Sequence, residues 1–124
     1  MRKLLIADDE PGIRSLVRMT LETDEYEITE AGDGEEAVEL AREFQPDVIL
    51  LDVMMPKLTG FEVCKALKED PATTEIVIVM LTAKAQDGDR SEGEAAGAND
   101  YFTKPFSPVA LLRKLDEIFE KKGI

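Results

Sequence analysis

The feature that most constrains the fold of this chain is the stretch over residues 48–56. Val48, Ile49, Leu50 and Leu51 lead directly into Asp52, and Pro56 follows shortly after. A short apolar run bounded by turn signals predicts a strand that is buried on both faces of a sheet. Asp52 would then lie at the carboxyl end of that strand, which is where parallel α/β sheets bind their ligands. We therefore take Asp52 as a candidate nucleophile.

The composition predicts one domain over residues 1–124, which is large enough to bury a core without disulfides. The chain has one cysteine, no histidine and a formal net charge of −12. Such an acidic surface disfavours direct contact with nucleic acid or anionic lipid. No apolar run approaches the length of a membrane span, and the N-terminus lacks the apolar core of a signal peptide. We therefore expect a soluble cytoplasmic protein.

Strand and helix patterns alternate along the chain, with connections too long for hairpins. The predicted strands cover residues 3–7, 26–31, 48–52, 75–81 and 100–103. The predicted helices cover residues 11–21, 35–44, 61–68 and 86–97, and a last helix opens at Ser107 and Pro108. Right-handed crossovers then favour an α/β fold with a doubly wound, five-stranded parallel sheet and five helices.

Residues 86–97 form the weakest of the predicted helices. Their only apolar side chains are those of Ala95 and Ala96. Gly88 and Gly93 each cost about 1 kcal/mol relative to alanine in a helix interior. We therefore expect amide hydrogens here to exchange faster than those of the first and third helices.

The carboxyl ends of the predicted strands carry the candidate site residues. These are Asp8 and Asp9 after the first strand, Asp52 at the end of the third, Thr82 after the fourth and Lys104 after the fifth. Because the ends of parallel strands share one edge, these side chains should converge. Carboxylates this close repel one another unless a cation lies among them, and a set without histidine or thiolate favours Mg²⁺. Asp52 would attack phosphorus to form an aspartyl phosphate, and Thr82 and Lys104 would contact phosphoryl oxygens.

Four motifs, taken in this order and spacing, resemble the receiver domain of two-component response regulators, the chemotaxis regulators among them. They are Ile6-Ala7-Asp8-Asp9-Glu10, Leu51-Asp52-Val53-Met54-Met55-Pro56 with Gly60, Leu81-Thr82-Ala83, and Tyr101-Phe102-Thr103-Lys104-Pro105-Phe106. The resemblance covers essentially the full length of the chain. It implies a flavodoxin-like receiver fold with strand order 2-1-3-4-5.

The resemblance also implies a role for each of the acidic residues. Asp52 would be the phospho-acceptor, and it would accept a phosphoryl group from the phosphohistidine of a sensor histidine kinase or phosphotransfer protein. Asp9 would bind Mg²⁺ directly, and Asp8 would hold water bound to the metal. Asp52 and the backbone carbonyl of Met54 would be the other protein ligands of the metal. Because the Met54 side chain cannot hydrogen-bond an attacking water, we expect slow self-dephosphorylation.

A switch is implied by the same resemblance. The Thr82 hydroxyl would move toward the phosphoryl group, and Tyr101 would rotate into the space that it leaves. Lys104 would pair with the phosphoryl group, and the peptide bond between Lys104 and Pro105 would be cis. The surface formed by the fourth helix, the fifth strand and the fifth helix would change for a downstream effector or output domain. A phosphorylation-linked homodimer would be possible through the same surface.

Three other functions stay open. A Mg²⁺-dependent phosphatase of the haloacid dehalogenase type needs its nucleophile after the first strand with a second Asp two residues on, where this chain has Asp8 and then Glu10. A flavodoxin-like nucleotide or flavin binder needs a phosphate-cradling loop there, and the chain instead has acids followed by Pro11. A degenerate receiver that acts as an unphosphorylated docking module is disfavoured because every site position is filled.

Overall fold

The fold is seen in a computed structural model that describes residues 2–21, 25–82, 97–103 and 107–123. Its sheet is built from β1 (Arg2–Ala7), β2 (Tyr26–Ala31), β3 (Val48–Asp52), β4 (Val77–Thr82) and β5 (Asp100–Thr103). The strand order is β2-β1-β3-β4-β5, and every neighbouring pair is parallel. The predicted sheet and its order are therefore confirmed.

Four helices lie within the described residues. They are α1 (Pro11–Thr20), α2 (Gly34–Phe44), α3 (Gly60–Glu69) and α4 (Pro108–Lys122). The fifth helix predicted from the sequence, which opens at Ser107 and Pro108, corresponds to α4. The fourth predicted helix, over residues 86–97, lies outside the described residues except for Gly97. Its low stability stays a prediction. In the part of the chain that the structure describes, no helix is both long and apolar enough to cross a membrane.

Two apolar layers cover the two faces of the sheet. Leu5 and Ile49 belong to the layer under α2 and α3, while their neighbours Leu4 and Leu50 belong to the layer under α1 and α4. Side chains along a strand point alternately to opposite faces, so both faces of the central strands must be apolar. This explains why every residue of β3 is buried, including Asp52 at its end.

Side chains that accept backbone hydrogen bonds mark where α2, α3 and α4 begin, and Ser107 does so for α4 by accepting from the Ala110 N–H at 3.1 Å. The Asp33 carboxylate accepts from the Glu36 N–H at 2.9 Å at the start of α2. At the start of α3, Thr59 and Glu62 form a reciprocal capping box, with bonds of 3.2 and 3.1 Å. Such caps pair backbone N–H groups that have no partner within the helix. They also set the start of each helix relative to the strand before it.

The fourth strand begins two residues later than the sequence predicted. The Lys68 ammonium group donates hydrogen bonds to the carbonyls of Thr74, at 3.1 Å, and Ile76, at 2.7 Å. The chain therefore turns over residues 71–75 and joins the sheet only at Val77. Burial lowers the pKa of Lys68.

Candidate functional site

The strand register brings Asp8 and Asp52 to the same level at the carboxyl edge of the sheet. Ala7 pairs with Leu51, so the next residues, Asp8 and Asp52, are carried by neighbouring strands that lie about 5 Å apart. Asp8 is 0% exposed and Asp52 is 7% exposed. The structure therefore places two buried acidic residues side by side at the edge where the sequence predicted the site.

A cluster of three carboxylates follows β1. One oxygen from each of Asp8, Asp9 and Glu10 lies within 4.8 Å of the other two. Asp8 is buried, while Asp9 and Glu10 are exposed. Glu10 was not predicted as a member of this cluster, because its only signal in the sequence is its place directly after the acidic pair. Asp52 belongs to the same edge of the sheet but not to this cluster of three.

This donor set fits Mg²⁺. Carboxylate oxygens are the protein ligands that Mg²⁺ prefers, and it keeps several waters when it binds. Two exposed carboxylates beside a buried one leave room for such waters. Their mutual repulsion also falls when a cation binds among them. The residues present are therefore compatible with a Mg²⁺ site at the start of the loop after β1.

Thr82 ends β4, the strand next to Asp52. Asp52 pairs with Leu81, so Thr82 lies one residue beyond the level of the acceptor. Thr82 is 2% exposed, and its Oγ1 has no hydrogen-bond partner among the residues that the structure describes. A buried polar atom left without a partner costs about 1–3 kcal/mol. This hydroxyl is thus available to a ligand at the carboxyl edge.

The chain leaving Asp52 passes very close to the first residue of α3. The Gly60 N–H donates to the Val53 carbonyl at 2.8 Å. A Cβ atom on Gly60 would overlap the carbonyl oxygen of Asp52, so only glycine fits this contact. The tight turn holds Met54 outward, where its side chain is 73% exposed. The position of Asp52 is therefore tied to the start of α3.

The other side of the same loop contacts the start of α2. A Cβ atom on Gly34 would overlap the carbonyl oxygen of Leu58. Lys57 has a positive φ of 71°, and its ammonium group lies 3.6 Å from the Asp33 carboxylate. The backbone N–H of Glu36, and to a lesser extent Lys57, holds the pKa of Asp33 below its usual value. The loop is thus fixed between two helix starts.

Tyr101 lies on β5 opposite Met80. It is half-buried and packs against the layer under α2 and α3. Thr82 pairs with Thr103 in the same ladder. Lys104 and Pro105 themselves lie outside the described residues. Their predicted roles stay predictions.

Arg14 on α1 is a neighbour of the site that was not predicted from the sequence. Its Nη1 donates to the backbone carbonyl of Asp8 at 2.6 Å. Its Nε donates to the Glu30 carboxylate at 3.2 Å. Arg14 occupies an ordinary polar position in an amphipathic helix, so no sequence pattern distinguishes it from a solvated surface residue.

Comparison with known proteins identifies the family of this chain. The family profile described as response regulator receiver domain matches residues 4–116. The DNA-binding dual master transcriptional regulator RpaA of a Synechocystis species is 44% identical, over 95% of this chain and 52% of its own length. The phosphate regulon transcriptional regulatory protein PhoB of Pseudomonas aeruginosa is 40% identical, over 98% and 53%. The chain spans about half the length of these curated relatives.

Solved structures agree with this assignment. The chemotaxis response regulator CheY4 of Vibrio cholerae superposes with a TM-score of 0.89 at 40% identity, covering 95% of this chain and 98% of that one. The receiver domain of the sensor histidine kinase PA1611 of P. aeruginosa, which holds a magnesium ion in its active-site cleft, gives 0.87 at 31% identity, covering 96% and 98%. The chain belongs to the response regulator receiver domain family. Receiver domains are the regulatory phospho-acceptors of two-component signalling.

Proposed function

We propose that this chain is a phosphorylation-dependent signalling switch, a single receiver domain over residues 1–124 that accepts a phosphoryl group on Asp52. The observation that carries the proposal is the burial of Asp52 beside the buried Asp8 on neighbouring strand ends. Taking two carboxyl groups out of water side by side costs free energy. A role in chemistry accounts for keeping both of them.

The proposed reaction is phosphoryl transfer from a phosphohistidine of a sensor histidine kinase or phosphotransfer protein. A carboxylate oxygen of Asp52 forms a bond to phosphorus as the phosphorus–nitrogen bond of the donor breaks. The electron pair leaves with the imidazole nitrogen, which takes a proton from water. The acyl phosphate that forms carries up to about two negative charges at the buried edge of the sheet.

Mg²⁺, when bound, would neutralise charge on the group being transferred. The proposed ligands are Asp8, Asp9 and Asp52 together with the backbone carbonyl of Met54. Asp9 is exposed and suited to direct contact, while the buried Asp8 is suited to holding water on the metal. Glu10 lies close enough to Asp8 and Asp9 to add a further carboxylate.

Thr82 is proposed to respond first to the new phosphoryl group. Its buried hydroxyl, which lacks a partner among the described residues, would gain a charge-assisted hydrogen bond by donating to a phosphoryl oxygen. Lys104 is proposed to pair with the same group. Tyr101 would then turn inward from its half-buried position on β5.

The proposed output is a changed surface built from the residues 86–97, β5 and α4. This surface would receive a downstream effector or output domain, or a second copy of the chain. The net charge of −12 argues that nucleic acid is not contacted directly by this chain. We place the switch in the cytoplasm, where a sensor kinase would present its phosphohistidine.

Intact mass after incubation with Mg²⁺ and acetyl phosphate tests this function. The wild-type protein should gain one phosphoryl group, and Asp52→Asn or chelation of Mg²⁺ should abolish the gain. Asp47→Asn, a change at the opposite end of the same strand, should leave it intact. No adduct, or an adduct that persists in Asp52→Asn, would contradict the proposal, and rapid turnover of many phosphoesters would favour the phosphatase.

Decay of the adduct in the same samples measures the phosphoryl lifetime. The lifetime should be long because Met54, which is 73% exposed, offers no hydrogen bond to an attacking water. Met54→Asn should shorten it. An unchanged lifetime in this variant would show that Met54 does not set the rate of self-dephosphorylation.

A further inference from the structure

Three successive peptide groups around the acidic pair are each held by a different partner. The Asp8 N–H donates to the Ala31 carbonyl of β2 at 3.1 Å. The Asp8 carbonyl, which belongs to the peptide joining Asp8 to Asp9, accepts from Arg14 Nη1 at 2.6 Å. The third peptide joins Asp9 to Glu10, and its N–H donates to the Asp8 carboxylate at 2.9 Å. Arg14 therefore holds the peptide between Asp8 and Asp9 through its carbonyl oxygen.

Arg14 is itself held in place by a shared carboxylate. Its Nε donates to Glu30 Oε1 at 3.2 Å, and Arg18, one turn further along α1, donates to Glu30 Oε2 at 2.7 Å. Arg14 is mostly buried, with 21% of its side chain exposed, whereas Arg18 is 47% exposed and contacts the Ile28 carbonyl instead of the acidic loop. The two arginines share one partner but only Arg14 reaches Asp8.

We propose that Arg14 is a positioning residue that raises the Mg²⁺ affinity of the carboxylate cluster by holding the peptide between Asp8 and Asp9. The inference rests on the proposed function of this cluster as the Mg²⁺ site. A planar guanidinium can hold a carbonyl and a carboxylate at once through separate N–H groups, which an ammonium group cannot do with the same geometry. With the peptide fixed, the backbone from which both acidic side chains depart is fixed as well.

The sign of the effect separates this role from a purely electrostatic one. Arg14 brings a positive charge near the carboxylates, so as a charge alone it would repel Mg²⁺ and its removal would tighten binding. As a positioning residue it does the opposite, because removing it frees the peptide and weakens binding. Groups that orient metal ligands contribute about 10–100-fold to metal affinity. A contact through the backbone belongs at the lower end of that range.

Calorimetric titration of the unphosphorylated protein with MgCl₂ at constant ionic strength tests the proposal. Arg14→Ala should weaken Mg²⁺ binding by about tenfold. Arg18→Ala is the matched control, because it removes the same kind of side chain from the same helix and the same Glu30 partner but no contact with Asp8. Arg18→Ala should stay within about twofold of the wild type.

Arg14→Lys keeps the charge and loses the planar fork, so it should also weaken Mg²⁺ binding, by less than Arg14→Ala. It serves as the second variant if Arg14→Ala fails to fold, which unfolding curves without metal would show. Tighter or unchanged binding in Arg14→Ala would overturn the proposal, as would equal weakening in Arg18→Ala. Unchanged binding in Arg14→Lys would show that the charge alone is sufficient, and it too would overturn it.

The failure of the Mg²⁺ site itself would look different. If the wild-type protein binds no Mg²⁺, or if Asp9→Asn binds it as well as the wild type, the proposed metal site is wrong and the positioning role of Arg14 fails with it. If Asp9→Asn loses binding while Arg14→Ala keeps it, the metal site stands and only the positioning role fails.

Discussion

The amino edge and the carboxyl edge of the sheet use their polar groups in different ways. At the amino edge, Asp47 accepts a hydrogen bond from the Lys3 N–H at 2.9 Å. The Arg2 guanidinium lies 4.8 Å from the centre of the Phe119 ring and 3.2 Å from the Asp116 carboxylate. Each of these contacts joins elements that are distant in the sequence. Together they close the end of the sheet.

The carboxyl edge of the same sheet buries polar residues of the candidate site. Asp8 and Asp52 are buried on neighbouring strand ends, and the buried Thr82 hydroxyl has no hydrogen-bond partner among the described residues. Taking these polar groups out of water costs free energy, and a hydroxyl that gains no partner costs more. We therefore expect the amino edge to contribute more to stability than the carboxyl edge, because functional sites give up some stability.

The largest effect should come from Gly60→Ala, at the tightest backbone contact of the carboxyl edge. The added Cβ would overlap the Asp52 carbonyl oxygen and would meet Met80 Cε at 2.9 Å. We expect the free energy of unfolding to fall by about 2–3 kcal/mol, because backbone atoms must shift to admit the methyl group. Urea unfolding followed by circular dichroism measures this.

Gly12→Ala is the control for that change. Gly12 lies in α1, and a Cβ atom there would have nothing within 4 Å. Alanine should stabilise the protein by up to about 1 kcal/mol through its higher helix propensity. If both glycine variants behaved alike, the close approach of Gly60 to Asp52 would not be what requires glycine.

The second prediction compares the two edges directly. Asp47→Ala removes the acceptor of the Lys3 N–H and should lower the free energy of unfolding by about 1–2 kcal/mol. Asp52→Asn, measured without metal, should leave stability unchanged or raise it by up to about 1 kcal/mol, because a like charge beside Asp8 is removed. If Asp52→Asn lowered the free energy of unfolding more than Asp47→Ala did, the two edges would not differ in the way proposed.

The smallest effect is expected for Thr82→Val. Valine has nearly the shape of threonine without the hydroxyl, so it removes a buried group that lacks a partner among the described residues. The free energy of unfolding without phosphorylation should rise by about 0.5–1 kcal/mol. Thr82→Ser, which keeps the hydroxyl and leaves a small cavity, should instead be destabilised. A loss of stability in the valine variant would mean that the hydroxyl is satisfied in the folded protein.

The three central strands, β1, β3 and β4, were predictable because their apolar runs indicate burial on both faces. The site edge was predictable because polar residues follow those runs. The late start of β4 was not predictable, since it depends on Lys68 reaching the carbonyls of Thr74 and Ile76 across a turn. The contact of Gly34 with Leu58 was likewise missed, because it joins the starts of two elements far apart in the chain.

By itself the sequence determined the order of the elements, the parallel sheet and the edge to which Asp8, Asp52 and Thr82 belong. Hydrophobic periodicity carries this information because it indicates, for each residue, which face of a helix or strand is buried. Only the tertiary structure decided that Glu10 joins the acidic pair and that Arg14 holds the peptide between Asp8 and Asp9. These contacts depend on where α1 packs against the sheet. The hydrophobic periodicity of a helix or a strand does not specify its atomic distances to other elements.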